Sequence, residues 1–129
     1  MAHHNIIGKL GEDIATSFLM KHGFSIKIKN FRVPGGELDI VAIKGNRIHF
    51  IEVKSVSVAD ITLQKTVLIQ PEDHFTYEKA RKTLRAARIY MSHYNISQET
   101  PHQIDLACIY ISEQSRQATV RYFTNVVTE

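Results

Sequence analysis

Gly36-Glu37-Leu38-Asp39-Ile40 and Ile51-Glu52-Val53-Lys54 are joined through Gly45-Asn46. Gly45-Asn46 suits a two-residue hairpin turn with Gly in the first central position, and folding the chain there sets Asp39 across from Glu52. Like charges placed opposite each other on a ladder repel, and a divalent cation between them relieves the repulsion. Directly opposed residues of an antiparallel pair have Cβ atoms ~5 Å apart, close enough for two carboxylates to share one ion. Mg²⁺ and Mn²⁺ favour oxygen ligands, and Mg²⁺ commonly takes only one or two carboxylates, with water and substrate phosphate completing its shell. The backbone carbonyl of Val53 can add a third oxygen. Lys54 shares the face of Glu52 because side chains alternate with a period of two. Its ammonium is suited to the attacking water or to charge developing on a phosphorane. Two acids and a lysine around Mg²⁺ or Mn²⁺ are the parts needed to hydrolyse a phosphodiester bond, so the pattern predicts a metal-dependent nuclease. Spacing alone leaves a second account open, in which Glu37, Asp39, Glu52 and Lys54 form an ion-pair patch of little energetic weight on an exposed hairpin.

Glu12 is a fourth acid, in Gly8-Lys9-Leu10-Gly11-Glu12. Two glycines in a helix each cost about 1 kcal/mol relative to Ala. They let a helix approach a sheet or a nucleic-acid backbone closely, and Glu12 could then reach the metal or its water; an ordinary exposed helix acid is the alternative. Lys79, Arg81, Lys82, Arg85 and Arg88 fall within ten residues that contain no acid. Such a helix face suits a phosphate backbone, giving a salt-sensitive grip that is independent of sequence, or is simply solvated. The histidines have no ligand spacing, and no zinc site is expected. Phosphate-cradling glycine loops, nucleophilic serine motifs and dinucleotide fingerprints are missing.

The elements that must position these residues follow from periodicity. Asn5 to His22 reads as a helix with Ile7, Leu10, Ile14, Ala15, Phe18 and Leu19 on one stripe and Gly23 as its stop. Phe24 to Asn30 alternates as a strand, and Val33-Pro34-Gly35-Gly36 is a turn. Glu37–Lys44 and Arg47–Ser55 form the hairpin, in which Lys44 faces Arg47, Ile43 faces Ile48, Val41 faces Phe50, Asp39 faces Glu52 and Glu37 faces Lys54. The hairpin is apolar on both faces near its turn, as expected of strands covered on both sides. Within Val56 to Asp73, Ile61, Leu63, Val67, Leu68 and Ile69 give a short strand or a loop. Thr76 caps a second helix, with Tyr77, Ala80, Leu84, Ala87 and Met91 as its apolar stripe. Ile104–Ile111 and Thr119–Val127 are the last strands. Helix, three strands, helix, two strands predicts an α/β sandwich with a mixed sheet flanked by helices.

Gly8-x-x-Gly11-Glu12-x-x-Ala15, Asn30-Phe31-Arg32, Gly36-Glu37-Leu38-Asp39-Ile40 and Phe50-Ile51-Glu52-Val53-Lys54, followed by Lys79, Ala86-Ala87, Tyr90 and Asp105, resemble the YraN-like family of small bacterial proteins. That family is similar to the archaeal Holliday-junction resolvases and the wider PD-(D/E)xK, or restriction-endonuclease-like, superfamily. The resemblance covers nearly the whole chain and implies a restriction-endonuclease-like α/β/α core. It also implies that Glu12, Asp39, Glu52 and Lys54 occupy the superfamily's metal and catalytic positions. Ser55-Val56 replaces the usual Thr-Arg, and Gln103-Ile104 stands where an Arg usually precedes a Phe-Asp dipeptide. Both departures remove a cation able to touch phosphate and leave the implied ligands intact.

The bulk numbers agree. A chain of 129 residues is long enough for one domain with a real core, and residues 1–129 are expected to form one. A net charge of +3 and a pI near 9.1 permit nucleic acid as partner. Only Cys108 is present, which excludes an internal disulfide and fits a reducing cytoplasm. No secretory signal or membrane span is expected. The prediction is a metal-dependent endonuclease acting on DNA, with branched and damaged structures among the candidate substrates. Asp39, Glu52, Val53 and Glu12 lie around Mg²⁺ or Mn²⁺ and Lys54 beside the reacting phosphate, with a homodimer in keeping with related nucleases. The rival is a non-catalytic nucleic-acid-binding module on the same fold.

Overall fold

The structure is a computed structural model that describes residues 3–58 and 76–127, with side chains from Asn5 onward. The predicted strand or loop built on Ile61, Leu63, Val67, Leu68 and Ile69 lies outside the described residues. The elements run α1 (His3–Lys21), β1 (Ser25–Val33), β2 (Gly36–Lys44), β3 (Arg47–Ser57), α2 (Tyr77–His93), β4 (His102–Ser112) and β5 (Gln117–Phe123). Among the described residues, five strands form one sheet in the order β1-β2-β3-β4-β5. All neighbours are antiparallel except β3 and β4, which run parallel.

Each helix covers one face. Ile7, Ala15 and Leu19 of α1 pack on Ile40, Ala42, Ile51, Ala107 and Ile109. Ala86, Ala87, Tyr90 and Met91 of α2 pack on Leu38, Val41, Ile48, Phe50 and Ile104. Ile40 and Val41 are adjacent yet belong to different clusters, which puts the two helices on opposite faces of the sheet. Helix–sheet–helix layering around a mixed sheet is the predicted α/β sandwich.

The turn at Gly45 (φ 62°) sets the hairpin register as the sequence predicts, from Lys44↔Arg47 and Ile43↔Ile48 through Val41↔Phe50 to Ile40↔Ile51. There the β2–β3 ladder ends. Beyond it β2 stays paired with β1 as far as Val33↔Gly36, while β3 stays paired with β4 as far as Ser57↔Ile111. The sheet therefore splits, and the predicted ladder pairs Asp39–Glu52 and Glu37–Lys54 do not form. Alternation breaks at the same place. Leu38 and Val41 lie three residues apart but pack in the same α2-side cluster, as do Ile28 and Phe31 on β1. Asn30, between those two, has φ 57°, a left-handed conformation that asparagine tolerates better than most residues.

The helix stripes also differ from prediction. On α1 the buried line is Ile7, Gly11, Ala15 and Leu19, and Leu10 is exposed. A Cβ on Gly11 would lie 1.8 Å from Oγ of Ser55, so the glycine lets α1 lie directly on β3. Among the described residues, and apart from its own helix backbone and chain neighbours, no atom lies within 4 Å of a Cβ built on Gly8. On α2 the buried residues are Thr83, Ala86, Ala87, Tyr90 and Met91, and Tyr77 is 82% exposed. Thr76 caps α2 as expected, its hydroxyl accepting the Lys79 N–H at 3.2 Å. Among the described residues no helix is long and apolar enough to cross a membrane.

Candidate active site at the split between two strands

The site is built where β2 and β3 part. In the hairpin, Ile51 exchanges backbone bonds with Ile40, and Val53 is the next residue whose N–H points toward β2. No strand carbonyl meets it. Instead Oδ2 of Asp39 accepts the Val53 N–H at 2.8 Å, so the carboxylate closes the gap left by the interrupted ladder. The N–H and C=O of one residue in an extended strand project to the same side. The Val53 carbonyl therefore faces the same opening.

Asp39 is half-buried. Its carboxyl is pushed from 3.8 up to about 7, first by burial and next by the charge of Glu52, with smaller contributions from Glu37 and Glu12; the Val53 bond acts in the opposite direction. The two acids predicted to face each other thus do feel each other, although they are not ladder partners. Glu12 arrives from α1 through the close approach at Gly11, and its Oε1 accepts from Nδ2 of Asn30 at 2.8 Å. Asn30 has no predicted role, and its position in Asn30-Phe31-Arg32 is the one signal that marks it. Glu12, Asn30, Glu37, Asp39, Val53 and Lys54 line a common open cleft of about 590 Å³. Lys54 is exposed and, among the described residues, forms no ion pair.

Glu52 is not among the residues lining that cleft. Phe50 packs in the α2-side cluster and Ile51 and Val53 in the α1-side one, so alternation turns Glu52 toward α2. There its Oε2 meets Nζ of Lys79 at 2.8 Å. Lys79 is thus drawn inward, away from the other basic residues of α2. Arg81, Lys82, Arg85 and Arg88 line a shallow groove of about 280 Å³. Arg81 lies over the Tyr77 ring, Lys82 pairs with Glu78 at 3.5 Å, and Arg85 donates to the Pro34 carbonyl in the β1–β2 turn.

Asp105 is fully buried on the α1 side of β4. Its Oδ1 accepts from Nε2 of Gln103 at 2.7 Å and from the Asn125 N–H at 2.8 Å. Its Oδ2 shares a 2.6 Å hydrogen bond with Nδ1 of His49 and accepts from the Tyr122 hydroxyl. Burial, and then the bond to Asp105, raise the Tyr122 phenol far above its ordinary value. This network ties β3, β4 and β5 together and is structural.

Among the described residues, no three His, Cys, Asp or Glu side chains converge tightly enough to form a closed ion site. The donor set fits an open one. Asp39 is a crowded carboxylate whose charge a cation would relieve, Glu52 is the acid that influences it most, and the Val53 carbonyl faces the same gap. The Asp39 carboxylate and the Val53 carbonyl are hard oxygens that suit an ion keeping several waters, while Glu52 is held on the α2 side by Lys79.

A mixed five-stranded sheet between two helices, with acids gathered where two strands part, is a restriction-endonuclease-like α/β core. Residues 11–109 match the profile of Uncharacterised protein family UPF0102, and the chain belongs to that family, which is the YraN-like family of the sequence analysis. It is 38% identical over 109 residues to a UPF0102 protein of Bacteroides thetaiotaomicron, covering 84% of this chain and 83% of the relative. A UPF0102 protein of Campylobacter fetus is 34% identical over 121 residues, covering 94% and 93%. One from Clostridium perfringens is 40% identical over 89 residues, covering 69% and 67%. The names of these relatives state no reaction.

Proposed function

We propose that this protein is a metal-dependent endonuclease that hydrolyses phosphodiester bonds in DNA, branched or damaged DNA included. The observation that carries this is Asp39, a carboxylate crowded by three other acids, anchored by the Val53 N–H at the strand split, with Lys54 on the same cleft. A protein that only needed a stable fold would gain by removing this repulsion.

Asp39 and the Val53 carbonyl, joined by Glu52 once it turns from Lys79 toward the gap, are the oxygens that would hold Mg²⁺ or Mn²⁺. Such an ion, when bound, polarises a phosphoryl oxygen and lowers the pKa of a water. The chain's own residues do the rest. Asp39 is fixed in place by the Val53 bond. Glu12, steadied by Asn30, presents a carboxylate oxygen that can accept a proton from the attacking water. Lys54 brings an ammonium to the charge that builds on the phosphate. Arg81, Lys82, Arg85 and Arg88 give α2 a row of cations for the phosphate backbone.

The test is Mn²⁺-dependent cleavage of plasmid and four-way-junction DNA by Asp39→Ala and Glu52→Ala. Both should lose cleavage while keeping the wild-type circular dichroism. Unchanged cleavage by both variants refutes the assignment. One observation favours the rival, a binding module on this fold: Lys79 already neutralises Glu52 at 2.8 Å. The rival is preferred if neither Mg²⁺ nor Mn²⁺ supports cleavage by the wild type while salt-dependent DNA binding is lost in Arg85→Ala with Arg88→Ala.

A further inference from the structure

Lys79 stands in an unusual place for a cation. It lies in the first turn of α2, immediately after the Thr76 cap and Glu78, where the helix dipole disfavours positive charge. Its backbone is fixed by the bond from its own N–H to Thr76 Oγ1. Its side chain, 40% exposed, reaches inward to Glu52, whose side chain is only 15% exposed. The pair links the helix that carries Arg81, Lys82, Arg85 and Arg88 to an acid of the strand split.

We propose that Lys79 is the resident counter-ion of Glu52. It occupies the carboxylate in the DNA-free, metal-free protein and leaves it for a backbone phosphate when a divalent ion takes its place. This rests on the reading of Asp39 and Glu52 as ion ligands and adds the coupling between ion loading and DNA grip. An ammonium 2.8 Å from Oε2 takes an acceptor site of the carboxylate and offsets its charge, so it competes with an ion for Glu52. The four-carbon stem of lysine is flexible enough to carry the charge away while the backbone stays capped. Once displaced, the ammonium adds to the cations already on α2. Lys79 is thus a positioning residue, setting the availability of Glu52, and separate from Lys54.

The experiment is Mn²⁺ binding to the DNA-free protein at constant ionic strength, followed by electron paramagnetic resonance of the free ion. Wild type is compared with Lys79→Met, which keeps the stem and loses the charge, and with Lys79→Arg; Lys79→Gln replaces the methionine variant if that variant does not fold. A unit charge roughly 5 Å from a divalent ion changes its affinity on the order of tenfold even at the screening of bulk water. Lys79→Met should therefore bind Mn²⁺ on the order of tenfold more tightly than wild type, and Lys79→Arg should stay near wild type. With Ca²⁺ filling the site, the salt dependence of DNA binding should fall by about one charge in Lys79→Met. Mn²⁺ affinity equal to or weaker than wild type in Lys79→Met overturns the role of Lys79 and leaves the ion site standing. No Mn²⁺ binding by wild type or Lys79→Met, or binding unchanged in Asp39→Ala, overturns the ion site and the role of Lys79 together.

Discussion

Asp39 connects the candidate site to the folding equilibrium, and the connection can be measured without any substrate. Burial, and then Glu52, raise its carboxyl from 3.8 to about 7. A rise of that size costs the folded, ionised form about 4 kcal/mol. Below pH 3.8 both states hold the proton and nothing is lost. Between 3.8 and about 7 the unfolded chain has released its proton while the folded chain keeps it. The folded state then binds more protons, and stability falls as pH rises. Above that window both states are ionised and the whole cost remains. Asp39→Asn carries no charge, and its side-chain carbonyl can still accept the Val53 N–H, so its stability lacks this slope. Urea denaturation of the two proteins at pH 5 and pH 8 in metal-free buffer isolates the effect, since every other titrating group is shared. The difference should move in favour of Asp39→Asn by roughly 2–3 kcal/mol over that interval. Mn²⁺ added at pH 8 should narrow it, because an ion that binds only the folded wild type stabilises it by mass action. A difference that does not change with pH, or that moves toward the wild type as pH rises, refutes the crowded-carboxylate account.

Gly11→Ala should destabilise the protein by about 1–3 kcal/mol through its collision with Ser55, outweighing the about 1 kcal/mol that alanine gains in a helix. Gly8→Ala, with open space around its Cβ, should be neutral or stabilising; chemical denaturation of both variants checks the order, and a reversed order refutes the close approach of α1 to β3. Asp105→Ala leaves His49, Gln103, Tyr122 and the Asn125 amide without their shared acceptor, and should cost about 3–5 kcal/mol. Tyr122→Phe removes only one donor and should cost about 1 kcal/mol. Hydrogen exchange at the Asn125 amide should accelerate in Asp105→Ala, and a loss of stability below 1 kcal/mol there would show the network to be dispensable.

What the sequence made legible, and what it did not, divides along physical lines. The hairpin register as far as Ile40↔Ile51 could be read because a two-residue turn at Gly45-Asn46 admits one pairing and both strands alternate cleanly. The cap at Thr76 follows from an equally local signal, whereas the parallel pairing of β3 with β4 joins segments about fifty residues apart and was not read. The helix stripes were misjudged where burial did not depend on hydrophobicity. Gly11 is buried because it has no Cβ, and Thr83 is buried with its hydroxyl donating to the Lys79 carbonyl at 3.0 Å. Tyr77, counted as core, sits outside on the first turn. Pairs far apart in sequence, Glu52 with Lys79 and Asp105 with Asn125, leave no periodic trace and needed the fold to bring them together.

The failure of alternation at Asp39 has a different origin. A regular β2 would have put Leu38 on the α1 side and continued the ladder to a Leu38–Val53 pair. The observed strand gives up that pairing, places Leu38 under α2, and fills the vacancy with a carboxylate among acids. Each of these departures is unfavourable taken alone: a lost ladder bond, a left-handed Asn30 on the adjoining strand, a raised carboxyl. They coincide at one place, the separation of β2 from β3. It also does what a continuous ladder could not. It opens the Val53 carbonyl, admits Glu12 from α1, and leaves Lys54 at the edge of the same gap. Local rules that fail together at one point are what the proposed functional reading of this cleft expects. A substitution that restored regular pairing there should raise stability and abolish whatever the cleft does.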